Sequence, residues 1–152
     1  MIEFTQGDLL KAPVEALVSA VNTEGVMGKG IALQFKKAFP ANYDAYRDAC
    51  HRGEVKPGKM FVYRHQSLIG PKYILNFPTK RHWREPAMLD DIASGLTDLV
   101  CQIELLRIQS IAVPQLGCGN GGLAWKAVLP LIEEAVSGLT QTRVLIFEPA
   151  EI

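Results

Sequence analysis

The stretch Ala16-Leu-Val-Ser-Ala-Val21, running through Asn22-Thr-Glu-Gly25-Val-Met-Gly28-Lys-Gly30 into Ile31-Ala-Leu-Gln-Phe-Lys-Lys-Ala-Phe39, decides the fold. Its six opening residues are almost continuously apolar, the composition of a strand covered on both faces. Ala32, Phe35 and Phe39 then share one helical stripe, and Pro40 marks where that helix stops. The same unit of strand, glycine loop and helix returns later. Ser110-Ile-Ala-Val-Pro114 leads through Gln115-Leu-Gly117-Cys-Gly119-Asn-Gly121-Gly122-Leu123 into a helix from Trp125 to Val136.

Outward from these two units the alternation continues. Ile2 to Thr5, Met60 to His65, Tyr73 to Asn76 and Arg143 to Phe147 read as further strands, the middle pair separated by the Gly70-Pro71 turn. A helix is expected from Asn42 to Cys50. Met88 to Leu106 places Leu89, Ile92, Leu96, Leu99, Ile103 and Leu106 at three- and four-residue intervals, the strongest helical pattern in the chain. Strands alternating with helices predict an α/β layer fold with a mostly parallel central sheet. No internal repeat or linker interrupts it, so residues 1–152 read as a single domain.

Composition agrees. With 152 residues, 48% hydrophobic and 21% charged, the chain can bury one full core and is excluded from the disordered class. No apolar run approaches the roughly 20 residues that span a bilayer, and MIEFTQGDLL lacks the basic-then-apolar layout of a signal peptide. A soluble, cytoplasmic protein with no membrane partner is expected. Cys50, Cys101 and Cys118 form no C-x-x-C pair, and His51, His65 and His82 have no metal-ligand spacing, so neither a metal nor a cofactor is expected. The formal net charge of zero is unevenly spread: −1 over residues 1–51, +7 over 52–84 and −6 over 85–152. The middle segment can attract a polyanion locally or be a set of solvated lysines; charge alone does not decide.

In open α/β sheets ligands lie outside the carboxyl ends of the strands, where both glycine loops should sit. Glycine lets backbone N–H groups converge on an anion, and a helix N-terminus adds partial positive charge. Neither loop is a dinucleotide fingerprint or a Walker A sequence. Two such loops facing each other could nevertheless hold a diphosphate between them.

Gln6-Gly7-Asp8-Leu9-Leu10, Val18-Ser-Ala-Val-Asn22, Gly28-Lys29-Gly30-Ile31-Ala32 and Gly117-Cys118-Gly119 through Leu123 together resemble the macro domain family, in order and spacing, from Ile2 to about Glu148. The resemblance implies a three-layer α/β/α fold with a mixed, mostly parallel sheet that binds ADP-ribose across the tops of its strands. It implies that Asp8, with Leu9 beside it, meets the adenine amino group; a plain helix cap is the alternative reading of that aspartate. Asn22 would hydrogen-bond the distal ribose, Gly30, Ile31 and Ala32 would present the first loop, and Gly117, Cys118, Gly119, Asn120, Gly121, Gly122 and Leu123 would wrap the diphosphate. Cys118 has no histidine adjacent in sequence to activate it and reads as a small residue packed under its loop.

Within the family, Asn76-Phe-Pro-Thr-Lys80-Arg-His-Trp-Arg84 resembles the lysine-dependent branch that removes ADP-ribose from its target, and more closely the DarG antitoxin branch, which acts on thymine bases of single-stranded DNA. That makes Lys80 the expected catalytic residue. A lysine beside the anomeric carbon can protonate the departing base as a cation, or attack the opened sugar as an amine whose pKa is lowered by burial and by positive charge, here expected from Arg81 and Arg84. The protein-directed lysine enzymes carry an aspartate where this chain has Gly121, and no acidic residue occurs between Glu104 and Glu133. Arg81, His82, Trp83 and Arg84 mix cations with an aromatic ring, the composition that holds single strands by phosphate attraction and base stacking. The resemblance thus implies a DNA ADP-ribosyl glycohydrolase with three partners: ADP-ribose, ADP-ribosylated single-stranded DNA and a cognate ADP-ribosyltransferase toxin. Two alternatives stand beside it. One is a non-catalytic ADP-ribose-binding module, the other a glycohydrolase acting on ADP-ribosylated protein or O-acetyl-ADP-ribose.

Overall fold

The apolar runs pair into one sheet. In the computed structural model, which describes residues 1–150, the strands are β1 (Ile2–Thr5), β2 (Ala16–Val21), β3 (Phe61–Arg64), β4 (Tyr73–Pro78), β5 (Ser110–Val113) and β6 (Arg143–Phe147). Their order is β1-β6-β5-β2-β4-β3, and every neighbouring pair is parallel except β3 with β4. β4 is buried along its whole length and β2 nearly so, as their two-sided apolar composition requires.

Helices cover both faces. α1 (Gly30–Ala38) and α2 (Pro40–His51) pack on one, where Phe35 and Tyr46 are fully buried against Leu17, Ile74 and Leu145. α3 (Leu89–Leu106) and α4 (Trp125–Val136) pack on the other, with Ile92, Leu96, Leu99, Val128 and Ile132 set against Val18, Leu75, Phe77 and Val113. This is the expected three-layer α/β/α arrangement with a mixed, mostly parallel sheet. No helix among the described residues is long and apolar enough to cross a membrane.

Two boundaries lie two residues from the sequence reading, and the others agree with it to within one. α2 begins at Pro40 rather than Asn42, because a proline at the first helical position gives up only an N–H that has no helical partner anyway. β4 runs to Pro78 rather than Asn76, its last residue opposite Val21 of β2. That two-residue extension carries the chain to the sheet's upper edge, so Thr79 and Lys80 emerge beside the end of β2.

Candidate active site

The carboxyl ends of five parallel strands open into one cavity of about 1080 Å³. Reading across the sheet, Asp8 follows β1, Phe147 ends β6, Pro114 and Gln115 follow β5, Asn22 follows β2, and Thr79 and Lys80 follow β4; all of them line the cavity. Adjacent strands lie about 4.8 Å apart, so Asp8 and Lys80 mark two ends separated by roughly 19 Å. The glycine loops fall between them.

Those loops touch. A Cβ added at Gly30, where φ is +59°, would lie 3.4 Å from the Asn120 side-chain nitrogen across the cleft. Gly117 has φ +75°, and a Cβ there would come within 2.7 Å of Leu123, so this turn accepts glycine alone. Gly30, Ile31 and Ala32 open α1, where the first amides of a helix have no helical acceptor. None of these three amides, nor those of Gly119 and Asn120, has a protein acceptor among the described residues. Five N–H groups without a protein acceptor on two facing loops are the kind of donor set that an anion site uses.

Asn22, only 5% exposed, shapes the first loop. Its Oδ1 accepts from the Glu24 amide (2.9 Å), the Val26 amide (3.4 Å) and the Tyr46 hydroxyl (2.9 Å), while Nδ2 donates to the Val26 carbonyl (2.8 Å). Burial pushes the Tyr46 phenol far up, which keeps it a donor. Asn22 therefore has one amide proton left to offer a ligand. Asp8 serves as the cap that its alternative reading foresaw, Oδ1 accepting from the Leu10 amide at 3.0 Å, and it still lines the cavity.

At the other end, Lys80 Nζ donates to the Trp83 carbonyl at 3.0 Å. Partial burial and then the charge of Lys29 hold its pKa below the ordinary lysine value. The neighbouring cation is thus Lys29, not Arg81 or Arg84, which the sequence reading assigned. Arg81 is turned away to Asp91 at 3.5 Å, and the Arg84 guanidinium lies over the Trp83 ring, 4.4 Å from its centroid. Lys29, Lys80 and Arg84 line the cavity with a single carboxylate, Asp8, at the far end.

Of the expected ligand-binding residues, Asp8, Leu9, Asn22, Gly30, Ile31, Ala32 and Gly117 to Gly121 reach the cavity; Gly122 and Leu123 do not. Leu123 packs against the core on the α3 and α4 face, and its amide closes the loop onto the Gly117 carbonyl at 2.9 Å. Trp83 and Arg84 line the rim, whereas Arg81 and His82 stand outside it, His82 stacked on Trp83 at 5.3 Å. Cys118 is half-buried on the cavity wall, its Sγ 3.8 Å from the Leu116 carbonyl, and burial pushes its thiol up, away from the reactive thiolate. Among the described residues no three His, Cys, Asp or Glu side chains cluster as a metal site. Sequence reasoning gave no role to Lys29, Gln34, Thr79, Gln115 or Phe147, all on the cavity wall. Phe147 and Thr79 could have been found by asking what stands at the carboxyl end of each strand; Gln34 carries no such signal.

Comparison with known proteins places this geometry. The family model described as "Macro domain" matches residues 18–132. A Thermus aquaticus protein named DNA ADP-ribosyl glycohydrolase is 56% identical over 151 residues, covering 99% of this chain and 42% of that protein. The solved macrodomain of Mycobacterium tuberculosis DarG matches with TM-score 0.97 and 53% identity over 99% of both chains. Thermosipho africanus DarTG, solved in complex with ADP-ribose, matches with TM-score 0.91 and 35% identity, covering 99% of this chain and 43% of that one. The chain therefore spans less than half the length of the curated Thermus relative.

Proposed function

The chain belongs to the macro domain family, and from that premise we propose that residues 1–152 act as one macro domain with DNA ADP-ribosyl glycohydrolase activity, freeing thymine bases of single-stranded DNA from ADP-ribose. The observation that carries this reading is the position of Lys80, at the end of the cavity opposite Asp8 and beyond the glycine loops. A ligand with adenine at Asp8 and its diphosphate between the glycine loops brings the far ribose, and the carbon bonded to the base, to that amine.

The chemistry follows from what surrounds Lys80. Cleavage breaks the bond between the anomeric carbon and a thymine nitrogen, and the electron pair leaves with the base. The Lys80 ammonium is a donor at that end of the cavity, and in this reading it protonates the departing nitrogen. Water adds its oxygen to the anomeric carbon and loses its second proton to solvent. The cavity has no carboxylate near Lys80 to activate water against a lysine adduct, which favours the acid role over the amine attack. The cations Lys29 and Arg84, with the Trp83 ring, suit a target that is itself a phosphate chain rather than an acidic peptide. In this reading the DNA lesion is written by a cognate ADP-ribosyltransferase toxin, and the chain is the antitoxin that erases it.

The test compares wild type with Lys80→Ala on ADP-ribosylated single-stranded DNA and on glutamate-ADP-ribosylated protein. Wild type should release ADP-ribose from the DNA alone. Losing a positioned acid should slow this by about 10²–10⁴-fold, with the affinity for free ADP-ribose unchanged. Release from neither substrate, with ADP-ribose still bound, would reduce the protein to a reader.

A further inference from the structure

Lys80 sits on a turn with few ties of its own. Within the turn, Lys80 Nζ bonds the Trp83 carbonyl, the Arg84 amide donates to His82 Nδ1 at 3.0 Å, and the Glu85 amide donates to the His82 carbonyl at 3.0 Å. These bonds fix the turn's shape but not its place over the sheet. Its place is set at three points. Just before Lys80, the Thr79 amide donates to the Val21 carbonyl at 2.8 Å, continuing the pairing of β4 with β2. At the start, the Thr23 amide donates to the Arg81 carbonyl at 3.0 Å and the Thr23 hydroxyl donates to the same oxygen. Past the end, the Ala87 amide donates to the Gly121 carbonyl at 2.9 Å. Thr23 belongs to the first glycine loop and Gly121 to the second, so the segment bearing Lys80 hangs between the two glycine loops.

We propose that Thr23 is a positioning residue: by spending both its donors on the Arg81 carbonyl it couples the loop that grips the diphosphate to the turn that presents Lys80. The carbonyl's two lone pairs are both used, and the oxygen lies one residue from Lys80. Asn22 and Tyr46 brace residues 22–26 into one turn, so a diphosphate that draws Gly30, Ile31 and Ala32 toward it pulls on that turn through residues 27–29, and the Lys80 turn follows through Thr23. The amine is thereby registered on the sugar only when the nucleotide is seated. The Arg81 guanidinium, paired to Asp91 at the start of α3, resists the turn swinging outward but gives no link to the ligand. A misplacement of about 1 Å in such a group can cost on the order of 10²-fold in rate, so a link this short has kinetic weight.

The inference rests on the glycohydrolase reading, and the experiment keeps the two apart. Thr23→Val keeps the side chain's size and the backbone donor but deletes the hydroxyl; Thr23→Ser keeps the hydroxyl. On ADP-ribosylated single-stranded DNA, Thr23→Val should lower kcat about tenfold, with KM and the affinity for free ADP-ribose within twofold of wild type, and Thr23→Ser should restore kcat. A second readout needs no turnover: adding ADP-ribose to wild type should slow amide hydrogen exchange across residues 81–85 several-fold, and in Thr23→Val it should not. An unchanged kcat in Thr23→Val, failure of Thr23→Ser to rescue, or equal protection of residues 81–85 in both proteins overturns the coupling. A wild type that releases no ADP-ribose from DNA overturns the glycohydrolase reading instead, and the exchange measurement then judges Thr23 by itself.

Discussion

Lys80 is one lysine among several in a basic turn, and what sets it apart is the company it keeps. Burial first and Lys29 second lower its pKa, so its ammonium gives up its proton at a lower pH than an ordinary lysine, whose value is about 10.4. If the ammonium is the working form, turnover is flat near neutrality and falls as pH rises through that lowered pKa. Removing Lys29 relieves part of the depression, raises the pKa and moves the falling limb upward. Lys29→Met should therefore extend activity to higher pH in a kcat-against-pH profile while leaving the neutral rate little changed. A rate that climbs with pH across the same range would mean that the neutral amine does the chemistry. The lysine itself was legible in Thr-Lys80-Arg-His-Trp-Arg84, but its partner was not. Arg81 and Arg84 are neighbours in sequence, and the fold turns one toward Asp91 and the other over Trp83. Lys29 becomes the neighbour only because β2 lies beside β4.

At the scale of elements, periodicity carried far. Every strand and helix read from apolar spacing forms in place, and the two boundaries that miss by two residues both involve proline: Pro40 starts α2 and Pro78 ends β4. Proline breaks a helix from within, but it also fits the first turn of one, as Pro40 does. What periodicity could not show is how closely two elements meet. Gly95 on α3 lies against Phe77 of β4, a fully buried ring, and a Cβ there would stand 2.4 Å from the ring's Cζ. Because Phe77 lies in β4 just before Pro78, Thr79 and Lys80, the fit of helix on strand supports the site from beneath. Gly95→Ala must displace that ring or tilt α3, and overpacking of this kind costs about 1–3 kcal/mol. Urea denaturation should show the unfolding free energy falling by that amount, read as a lower midpoint at unchanged slope; an unaltered midpoint would mean that the ring has room to move.

The whole molecule converts a charge pattern along the chain into one across the sheet. The segment 52–84, with eight basic residues against Glu54, folds as β3, β4 and the Lys80 turn, which form one edge. The acidic segment from residue 85 onward supplies β5, β6, α3 and α4. Phe61 stands opposite Asn76, so the chain entering β3, with exposed Lys56 and Lys59, runs beside the end of β4 from which Lys80 emerges. Glu54, the segment's one carboxylate, is held by Arg52. On the proposed glycohydrolase reading, a nucleic-acid strand with its modified base at Lys80 would meet this edge, and each phosphate neutralised there would release counterions. Affinity for ADP-ribosylated single-stranded DNA should fall by roughly 0.7 log units per tenfold rise in salt for each such phosphate. Free ADP-ribose, on the same reading a ligand of backbone amides inside the cavity, should lose much less. Replacing Lys56 and Lys59 together by alanine should flatten the DNA slope and leave ADP-ribose binding untouched, as read by fluorescence anisotropy across a salt series. If both slopes are equal in wild type, the basic edge plays no part in recognition, and the target's identity must be read inside the cavity alone.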